Sequence, residues 1–225
     1  MLHLSRYLRW LHTGWPAGTV EKLPDVREDG TTAVSGVRVV GDLTGIPLLK
    51  FSADTGARAI HAILSEPDFA AKRGTADVLD VAIVGAGVAG VSAAIEAHKA
   101  GLRYALYEAT QTFSTVNNFP VRKPIFTYPT DMVPAGDMQV TADIKEALVE
   151  ELEGYRKAAG VEPIPLRIDR VERTGGQLRV VPADKDSAPV PALRVVIAIG
   201  RSGNFRKLGV PGEDLSKVTN RLHDP

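Results

Sequence analysis

The sequence predicts an α/β fold, a doubly wound parallel sheet with a small β-meander. Its hydrophobic pattern alternates between the two-residue repeat of strands and the 3.6-residue repeat of helices. A strand, a glycine-rich turn, an alanine-rich helix and a second strand follow one another within residues 79–107, and together they form a βαβ unit. The 225 residues are enough to bury a sizeable core in one domain.

Two short elements are predicted ahead of the βαβ unit. The pattern indicates a strand over 37–40, followed by a glycine and an aspartate, and a helix over 53–65 that ends before Pro67. Residues 67–77 are expected to be a polar linker. Residues 1–31 are expected to form either a strand pair that covers the ligand site or a segment on the surface.

The part that follows the βαβ unit begins with a long loop. Residues 109–138 contain several prolines and aromatic residues with little periodicity, which is typical of an ordered loop at a functional site. Thr141 is expected to cap the next helix. Two β segments joined at Gly175 and Gly176 are expected to form a hairpin, and a last apolar strand is predicted over 193–199.

The composition argues against several classes of protein. Lys and Arg total 27 and Asp and Glu total 27, so the net charge is zero and a basic nucleic-acid-binding protein is not expected. The chain has no cysteine, which excludes disulfides and thiol redox centres and fits a reducing cytoplasm. The five histidines lack a metal-binding spacing, and no apolar run approaches the roughly 20 residues of a membrane span.

The turn between the first strand and the helix of the βαβ unit has the pattern GxGxxG and consists of Gly85, Ala86, Gly87, Val88, Ala89 and Gly90. The first glycine permits the tight turn, the second lets a pyrophosphate approach the backbone, and the third lets the helix pack on the strand. The N-terminus of the helix offers that anion unpaired N–H groups and a partial positive charge. The pattern therefore predicts a dinucleotide site, which FAD and NAD fit equally.

An acidic residue marks the end of the second strand of the unit. Glu108 lies 23 positions after Gly85, near the spacing of about 20 residues at which a carboxylate binds the ribose hydroxyls of the adenosine half. A 2′-phosphate would be repelled there. The alternative is a surface carboxylate beside an ordinary glycine-rich turn.

Three further segments resemble motifs of thioredoxin-reductase-like pyridine-nucleotide flavoproteins. Residues 32–42, TAVSGVRVVGD, resemble the family's late FAD motif, in which a strand ends in Gly-Asp. Residues 195–200, VVIAIG, and 208–213, LGVPGE, resemble its Ala-Thr-Gly strand and the continuation of that strand. Residues 116–120, VNNFP, resemble its flavin-loop segment. The chain is therefore similar to the FAD domain of this family from about residue 32 onward.

The order of these segments differs from the order in the family. There the Gly-Asp strand and its helix come last, after a nicotinamide-binding domain, whereas here they come first. The resemblance implies one circularly permuted, Rossmann-like FAD-binding domain over 1–225, with the displaced segment at 1–66, the linker at 67–77 and the GxGxxG half at 78–225. The partner would be a nicotinamide-binding domain beyond Pro225 or in another chain.

The resemblance implies FAD as the cofactor and assigns its contacts residue by residue. Asp42 would bind the ribityl chain, and Asn118 would lie at the flavin. The implied cofactor-binding residues are Gly41, Asp42, Lys50, Phe51, Gly85, Ala86, Gly87, Ala89, Gly90, Glu108, Ala109, Asn118, Ile168, Ala198 and Gly200. NAD(P)H is expected only through the separate or missing domain, and a homodimer is one expected assembly.

Lys50 is the residue expected to tune the flavin. Counted from Gly41 and Asp42, it matches the family position that meets the pyrimidine edge of the ring. A cation at a helix N-terminus there would stabilise the negative charge of the reduced flavin. The alternative is an exposed, solvated lysine. No proton-transfer residue is predicted.

The chain also departs from the family pattern. The Gly-Gly-Gln element after the ribose glutamate is absent, and Ala89 replaces a cysteine that is reactive in some relatives. Residues 127–130, TYPT, resemble a loop of the bacillithiol-disulfide-reductase and flavin-monooxygenase branches, which implies a flavin contact there. The expected function is that of the FAD-binding domain of an NAD(P)H-linked oxidoreductase with an unidentified acceptor. An NAD-dependent Rossmann dehydrogenase and a non-catalytic nucleotide-binding module stay open as alternatives.

Overall fold

One seven-stranded sheet organises the chain. The computed structural model describes residues 2–13, 23–201, 208–215 and 218. The strands are β1 (Val37–Val39), β2 (Leu79–Val84), β3 (Tyr104–Glu108), β4 (Ile164–Pro165), β5 (Ile168–Thr174), β6 (Gln177–Pro182) and β7 (Val190–Ile197). Their order in the sheet is β4-β3-β2-β7-β6-β5, and β1 pairs with β7. Pairing is parallel among β1, β2, β3, β4 and β7 and antiparallel along β5, β6 and β7, which confirms the predicted α/β class.

Among the described residues, one helix precedes the sheet and the others lie in the connections between its strands. The helices are α1 (Leu2–Thr13), α2 (Leu49–Leu64), α3 (Pro67–Ala70), α4 (Val88–Lys99), α5 (Ser114–Asn117) and α6 (Lys145–Ala158), with a short 3-10 helix at Gly41–Thr44. The connection from β2 through α4 to β3 is the predicted βαβ unit. Across the part of the chain that the structure describes, no helix has the length and apolar character needed to cross a membrane.

The main core lies between the sheet and helices α2, α4 and α6. Val81 and Ile83 of β2 are fully buried in this cluster, together with Ile60 of α2 and Leu148 of α6. Alternate residues of β2 and β3 join β6 and β7 in a second buried cluster, made of Ala82, Val84, Ala105, Tyr107, Leu178, Val180, Ala192 and Val195. Because β2 is buried on both faces, its sequence is apolar almost throughout, as in parallel sheets generally.

A close contact between α2 and α4 joins the N-terminal segment to the GxGxxG turn. A Cβ built at Gly56 would lie 2.1 Å from the carbonyl oxygen of Ala89, so glycine alone permits this approach. Ser92 Oγ of α4 donates a hydrogen bond to the carbonyl oxygen of Ala53, at 2.7 Å. Val37 of β1 pairs with β7 in the same sheet. The segment from β1 to α2 is thus an integral part of the sheet and its core.

Several predicted boundaries are wrong. α2 begins at Leu49 rather than at residue 53. Leu48 has an extended backbone, and the helix starts directly after it. Thr141 does not cap α6, which begins at Lys145, because the chain before it stays extended and Ile144 forms a β-bridge with Pro124. The last strand, β7, covers Val190–Ile197 instead of 193–199. The hairpin predicted at Gly175 and Gly176 is confirmed by the pairing of β5 with β6.

The linker expected at 67–77 and the N-terminal segment at 1–31 both contain helices. The linker expected at 67–77 begins with α3, whose Phe69 is fully buried in the main core, so the linker is anchored rather than purely polar. The strand pair considered for residues 1–31 is not formed by α1, which is helical, and Arg9 Nη1 donates to the carbonyl oxygen of Val26 at 3.1 Å. Pro225, where the next domain was expected to begin, lies outside the described residues.

Candidate functional site

Three turns meet at the carboxyl ends of the parallel strands β1, β2 and β7. Such an edge is where α/β sheets bind their ligands. The turns border an open cleft. Its empty volume is about 450 Å³, which includes the solvent at its mouth. The lining comprises Gly41, Asp42, Leu49, Ser52, Gly87, Val88, Ala89, Phe113, Thr115, Val116, Ala198 and Gly200. The Gly-Asp turn from the N-terminal segment and the GxGxxG turn therefore face one another across this cleft.

The three glycines of the GxGxxG turn have different structural reasons. Gly85 has φ of +100°, and a Cβ there would lie 2.6 Å from the carbonyl oxygen of Ala198. A Cβ at Gly90 would lie 1.8 Å from the carbonyl oxygen of Gly85, so the helix could not pack so closely on the turn. A Cβ at Gly87 would meet nothing within 4 Å. Two glycines are therefore required by packing, whereas Gly87 leaves space that a ligand can fill.

Glu108 is fixed beside this turn by hydrogen bonds to both of its carboxylate oxygens. Oε2 accepts from the backbone N–H of Ala86 at 2.7 Å. Oε1 accepts from the N–H and the hydroxyl of Thr110 at 2.9 and 3.1 Å. A carboxylate has about four acceptor positions, so it retains capacity for a ligand hydroxyl. The end of β3 thus presents a pre-oriented anionic acceptor next to the N-terminus of α4.

Asp42 is the second acidic group of the cleft. It follows Gly41, whose φ is +72° and whose N–H donates to Thr55 Oγ1 at 3.0 Å. Burial raises the pKa of Asp42, while the hydrogen bond from Ser52 and the positive charge of Arg201 act in the opposite direction. Ser52 Oγ donates to Asp42 Oδ1 at 3.0 Å. Asp42 is therefore bound by a side chain of α2 and does not cap a helix.

Lys50 is buried in the first turn of α2, with 8% of its surface exposed. Its ammonium donates to the carbonyl oxygens of Pro129 and Thr130 at 3.1 and 3.0 Å. The alternative of an exposed, solvated lysine is therefore wrong. The two carbonyls belong to the TYPT segment, so α2 and this segment are joined directly. Lys50 does not belong to the lining of the cleft.

Buried charged side chains fix the backbone of the loop at 121–138. In addition to Lys50, Asp54 Oδ1 accepts from the N–H of Ala135 at 2.9 Å, and Glu96 Oε1 accepts from the N–H of Asp137 at 3.0 Å. Asp54 and Glu96 are 6% exposed. Several large apolar side chains of this loop are exposed instead, namely Val121, Phe126, Tyr128 and Val133. The loop is thus held both by these hydrogen bonds to its backbone and by the buried side chains of Ile125 and Met138.

The remaining predicted site residues fall into two groups. Gly41, Asp42, Gly87, Ala89, Ala198 and Gly200 line the cleft, and Gly85, Ala86, Gly90 and Glu108 belong to the turn beside it or bond to it. Phe51, Ala109, Asn118 and Ile168 lie outside the lining. The Asn118 amide donates to the carbonyl oxygen of Ser114, at 2.7 Å. Ile168 begins β5, two residues after Leu166. The N–H of Leu166 donates to the carbonyl oxygen of Glu108 at 2.9 Å.

Sequence reasoning missed several residues of the cleft, above all Ser52. The helix predicted over 53–65 began too late to include it, and a single serine has no spacing that marks it. Phe113 and Thr115 were missed because they lie around α5, a short helix inside a predicted loop, whereas Val116 was marked only as part of the flavin-loop segment at 116–120. The described residues contain no group of three or more His, Asp or Glu side chains that could bind a metal ion.

Comparison with known proteins identifies the family. Residues 79–224 match the family model described as pyridine nucleotide-disulphide oxidoreductase. The chain belongs to this family. A curated relative, the ferredoxin–NADP reductase of Ignicoccus hospitalis, is 30% identical over 147 residues, which are 65% of this chain and 44% of that protein. The chain therefore spans less than half the length of this relative. The family predicted from the sequence motifs is confirmed.

Solved structures share the fold of the chain. The bacillithiol disulfide reductase Bdr of Staphylococcus aureus superposes with a TM-score of 0.53 at 19% identity, over 66% of this chain and 46% of that one. The corresponding enzyme of Bacillus cereus gives 0.52 at 22% identity, over 64% and 47%. At these identities the likeness extends to the fold alone, and it agrees with the Rossmann-like sheet described above.

Proposed function

We propose that this chain is the FAD-binding domain of an NAD(P)H-linked oxidoreductase. The observation that supports this most is that Asp42 and the N-terminus of α4 line one cleft, and that Glu108 is bonded to the glycine turn beside it. These groups suit the three polar parts of FAD: the pyrophosphate, the ribose diol and the ribityl chain. When bound, FAD supplies the hydride and electron chemistry, while the residues of this chain bind and orient it.

The glycine turn has room for the pyrophosphate of FAD. The first-turn N–H groups of α4 have no partner within the helix, and the empty space over Gly87 lets a phosphate approach them. An NAD-dependent dehydrogenase would use the same turn but would leave Asp42, a partly buried carboxylate at the cleft, without a ligand. FAD accounts for both sides of the cleft.

The order of elements supports the proposal that this FAD domain is circularly permuted. β1 pairs in parallel with β7, and α2 packs on α4 through Gly56, which supports the proposal that the N-terminal segment takes the part of the family's last strand and helix. In this proposal the NAD(P)H domain lies beyond Pro225 or in another chain. Identifying the electron acceptor requires an activity assay in which the NAD(P)H domain is also present.

Titration of the purified chain with FAD tests the proposed function. The expected result is a yellow protein with a bound-flavin spectrum and saturable binding. Gly87→Ala should abolish this binding while the fold is kept, because its Cβ enters open space at the phosphate position. Gly154→Ala, an exposed helix position with nothing within 4 Å, is the matched control and should bind FAD normally. A colourless chain that binds NAD instead would overturn the proposal.

Lys50 tests the proposed tuning of the flavin. Lys50→Met should lower the reduction potential of bound FAD and leave its affinity mostly intact, because a cation near the pyrimidine edge favours the reduced, more negative ring. Lys157→Met, at an exposed position of α6, is the control and should leave the potential unchanged. An unchanged potential in Lys50→Met would show that the ammonium serves only the carbonyls of Pro129 and Thr130.

A further inference from the structure

Two hydroxyl groups on one face of α2 bind the turn that contains Asp42. Ser52 and Thr55 are three residues apart, so their side chains lie on the same side of the helix. Ser52 Oγ donates to Asp42 Oδ1, and the Gly41 N–H donates to Thr55 Oγ1, each at 3.0 Å. The backbone and the carboxylate of the turn are therefore both fixed from α2.

The direction of the hydrogen bond at Thr55 is determined. Its hydroxyl donates to the carbonyl oxygen of Phe51 at 2.8 Å, so it accepts from the N–H of Gly41. Gly41 in turn has φ of +72°, and a Cβ there would lie 3.0 Å from the Cβ of Ala89. Thr55 thus holds the backbone of the turn against α4, and this fixes the backbone position from which the Asp42 side chain extends.

Ser52 restricts the remaining freedom of that carboxylate. The terminal torsion of an aspartate is broad, so a carboxylate without a partner samples many orientations. Ser52 is 5% exposed, lines the cleft, and occupies Oδ1 with its single donor. Because the bond from Ser52 engages Oδ1, and a carboxylate has about four acceptor positions, the group can still accept from a hydroxyl group of the ligand at Oδ2. A buried donor placed in this way lowers the entropy lost when that hydroxyl binds.

We propose that Ser52 is a positioning residue for the polyol part of the ligand, which under the proposed function is the ribityl chain of FAD. It acts through Asp42, whose carboxylate it holds ready for a ligand hydroxyl. The inference rests on the proposed function for the identity of the ligand. It adds that affinity for the ribityl chain depends on a side chain of α2 for which neither the sequence pattern nor the glycine turn gives a signal.

Calorimetric titration with FAD and with ADP separates this role from a general structural one. ADP contains the adenosine and pyrophosphate groups but no ribityl chain. Ser52→Ala should weaken FAD binding by about 10-fold, the effect of losing one oriented charge-assisted hydrogen bond, and leave ADP binding unchanged. Ser52→Thr restores the hydroxyl and should recover most of the FAD affinity. Ser65→Ala, at the other end of α2, is the control and should bind both ligands normally.

Each outcome decides one question. Unchanged FAD binding in Ser52→Ala, or an equal loss of FAD and ADP binding, would overturn the role proposed for Ser52. If Ser52→Ala does not fold, Ser52→Cys keeps the volume with a weaker donor, and its FAD-to-ADP affinity ratio should lie between those of Ser52→Ala and the wild type. A wild-type chain that binds ADP but not FAD would instead overturn the proposed function itself.

Discussion

The glycine turn at 85–90 and the loop at 121–138 both border α2 and α4, but they are held in opposite ways. In the glycine turn, backbone contacts backbone, and the absence of side chains at Gly85 and Gly90 makes the contact possible. In the loop, Lys50, Asp54 and Glu96 reach from the helices to bind backbone groups. The first arrangement is specified by the residues of the turn itself, and the second by residues distant in the sequence.

The two regions therefore differ in what a substitution does. A methyl group added at Gly85 or Gly90 would lie 2.6 or 1.8 Å from a backbone carbonyl oxygen, so the cost is steric. A charge removed from the helices leaves buried backbone groups of the loop without a partner, so the cost is that of an unsatisfied hydrogen bond. The first should affect the whole domain, whereas the second should affect mainly the loop.

The largest effect is expected from Gly90→Ala. Its Cβ would lie 1.8 Å from the carbonyl oxygen of Gly85, so α4 must move away from the turn. We expect a loss of about 3 kcal/mol or more in the free energy of unfolding, measured by urea denaturation. Gly154→Ala should instead be neutral or gain up to about 1 kcal/mol, as expected for glycine in an exposed helix. A Gly90→Ala variant as stable as the wild type would contradict the steric account of the turn.

Glu96→Ala should produce a smaller and more local effect. It removes the acceptor of the Asp137 N–H and the partner of His61 and Lys99, for an expected loss of about 2 kcal/mol. Amide hydrogen exchange should accelerate in the loop at 121–138 and stay unchanged in the glycine turn. Glu150→Ala, an exposed position of α6, should change neither region. Equal acceleration in both regions would show that they are not held independently.

Asp42→Asn should increase the stability of the chain without ligand at neutral pH. Burial raises the pKa of Asp42 in the folded state above its ordinary value of 3.8, so the folded chain binds this proton more tightly than the unfolded chain. The contribution of Asp42 to stability therefore falls as the pH rises through the interval from 3.8 to the raised pKa.

Urea denaturation of both proteins across that interval checks the sign. The stability difference in favour of Asp42→Asn should increase with pH, while Asp131→Asn, at an exposed position of the loop, should show no such dependence. FAD affinity should fall in Asp42→Asn, so the cleft would exchange stability for binding. A wild type that loses stability relative to Asp42→Asn as the pH falls would reverse the assignment.

The smallest effect is expected from Lys123→Ala. The ammonium lies 3.8 Å from the centroid of the Phe119 ring, and the lysine is exposed. Removing it should cost about 0.5 kcal/mol, or about 2 °C in Tm. This variant separates exposed from buried charges around the same loop. A loss as large as that of Glu96→Ala would show that burial is not what distinguishes them.

The same comparison explains what the sequence could predict. The βαβ unit and the hairpin at Gly175 and Gly176 are encoded by residues close together in the chain, and the structure has them as predicted. Glu108 lies at the end of β3 as expected, while its contact with a ribose stays a prediction. The burial of Lys50 depends on carbonyl groups 79 and 80 residues away, and no local pattern contains that information. The failure of Thr141 to cap α6 depends in the same way on a distant contact, the β-bridge between Pro124 and Ile144.

The position of bound FAD is the most direct test of whether the Gly-Asp turn and the glycine turn form one flavin site. A crystal structure of the chain with FAD should place the pyrophosphate over Gly87 at the N-terminus of α4 and a ribityl hydroxyl within hydrogen-bond distance of Asp42 Oδ2. Both contacts in one molecule would establish that the N-terminal segment and the GxGxxG half form a single flavin site. A complex in which the dinucleotide occupies the glycine turn and approaches neither Asp42 nor Ser52 would contradict it.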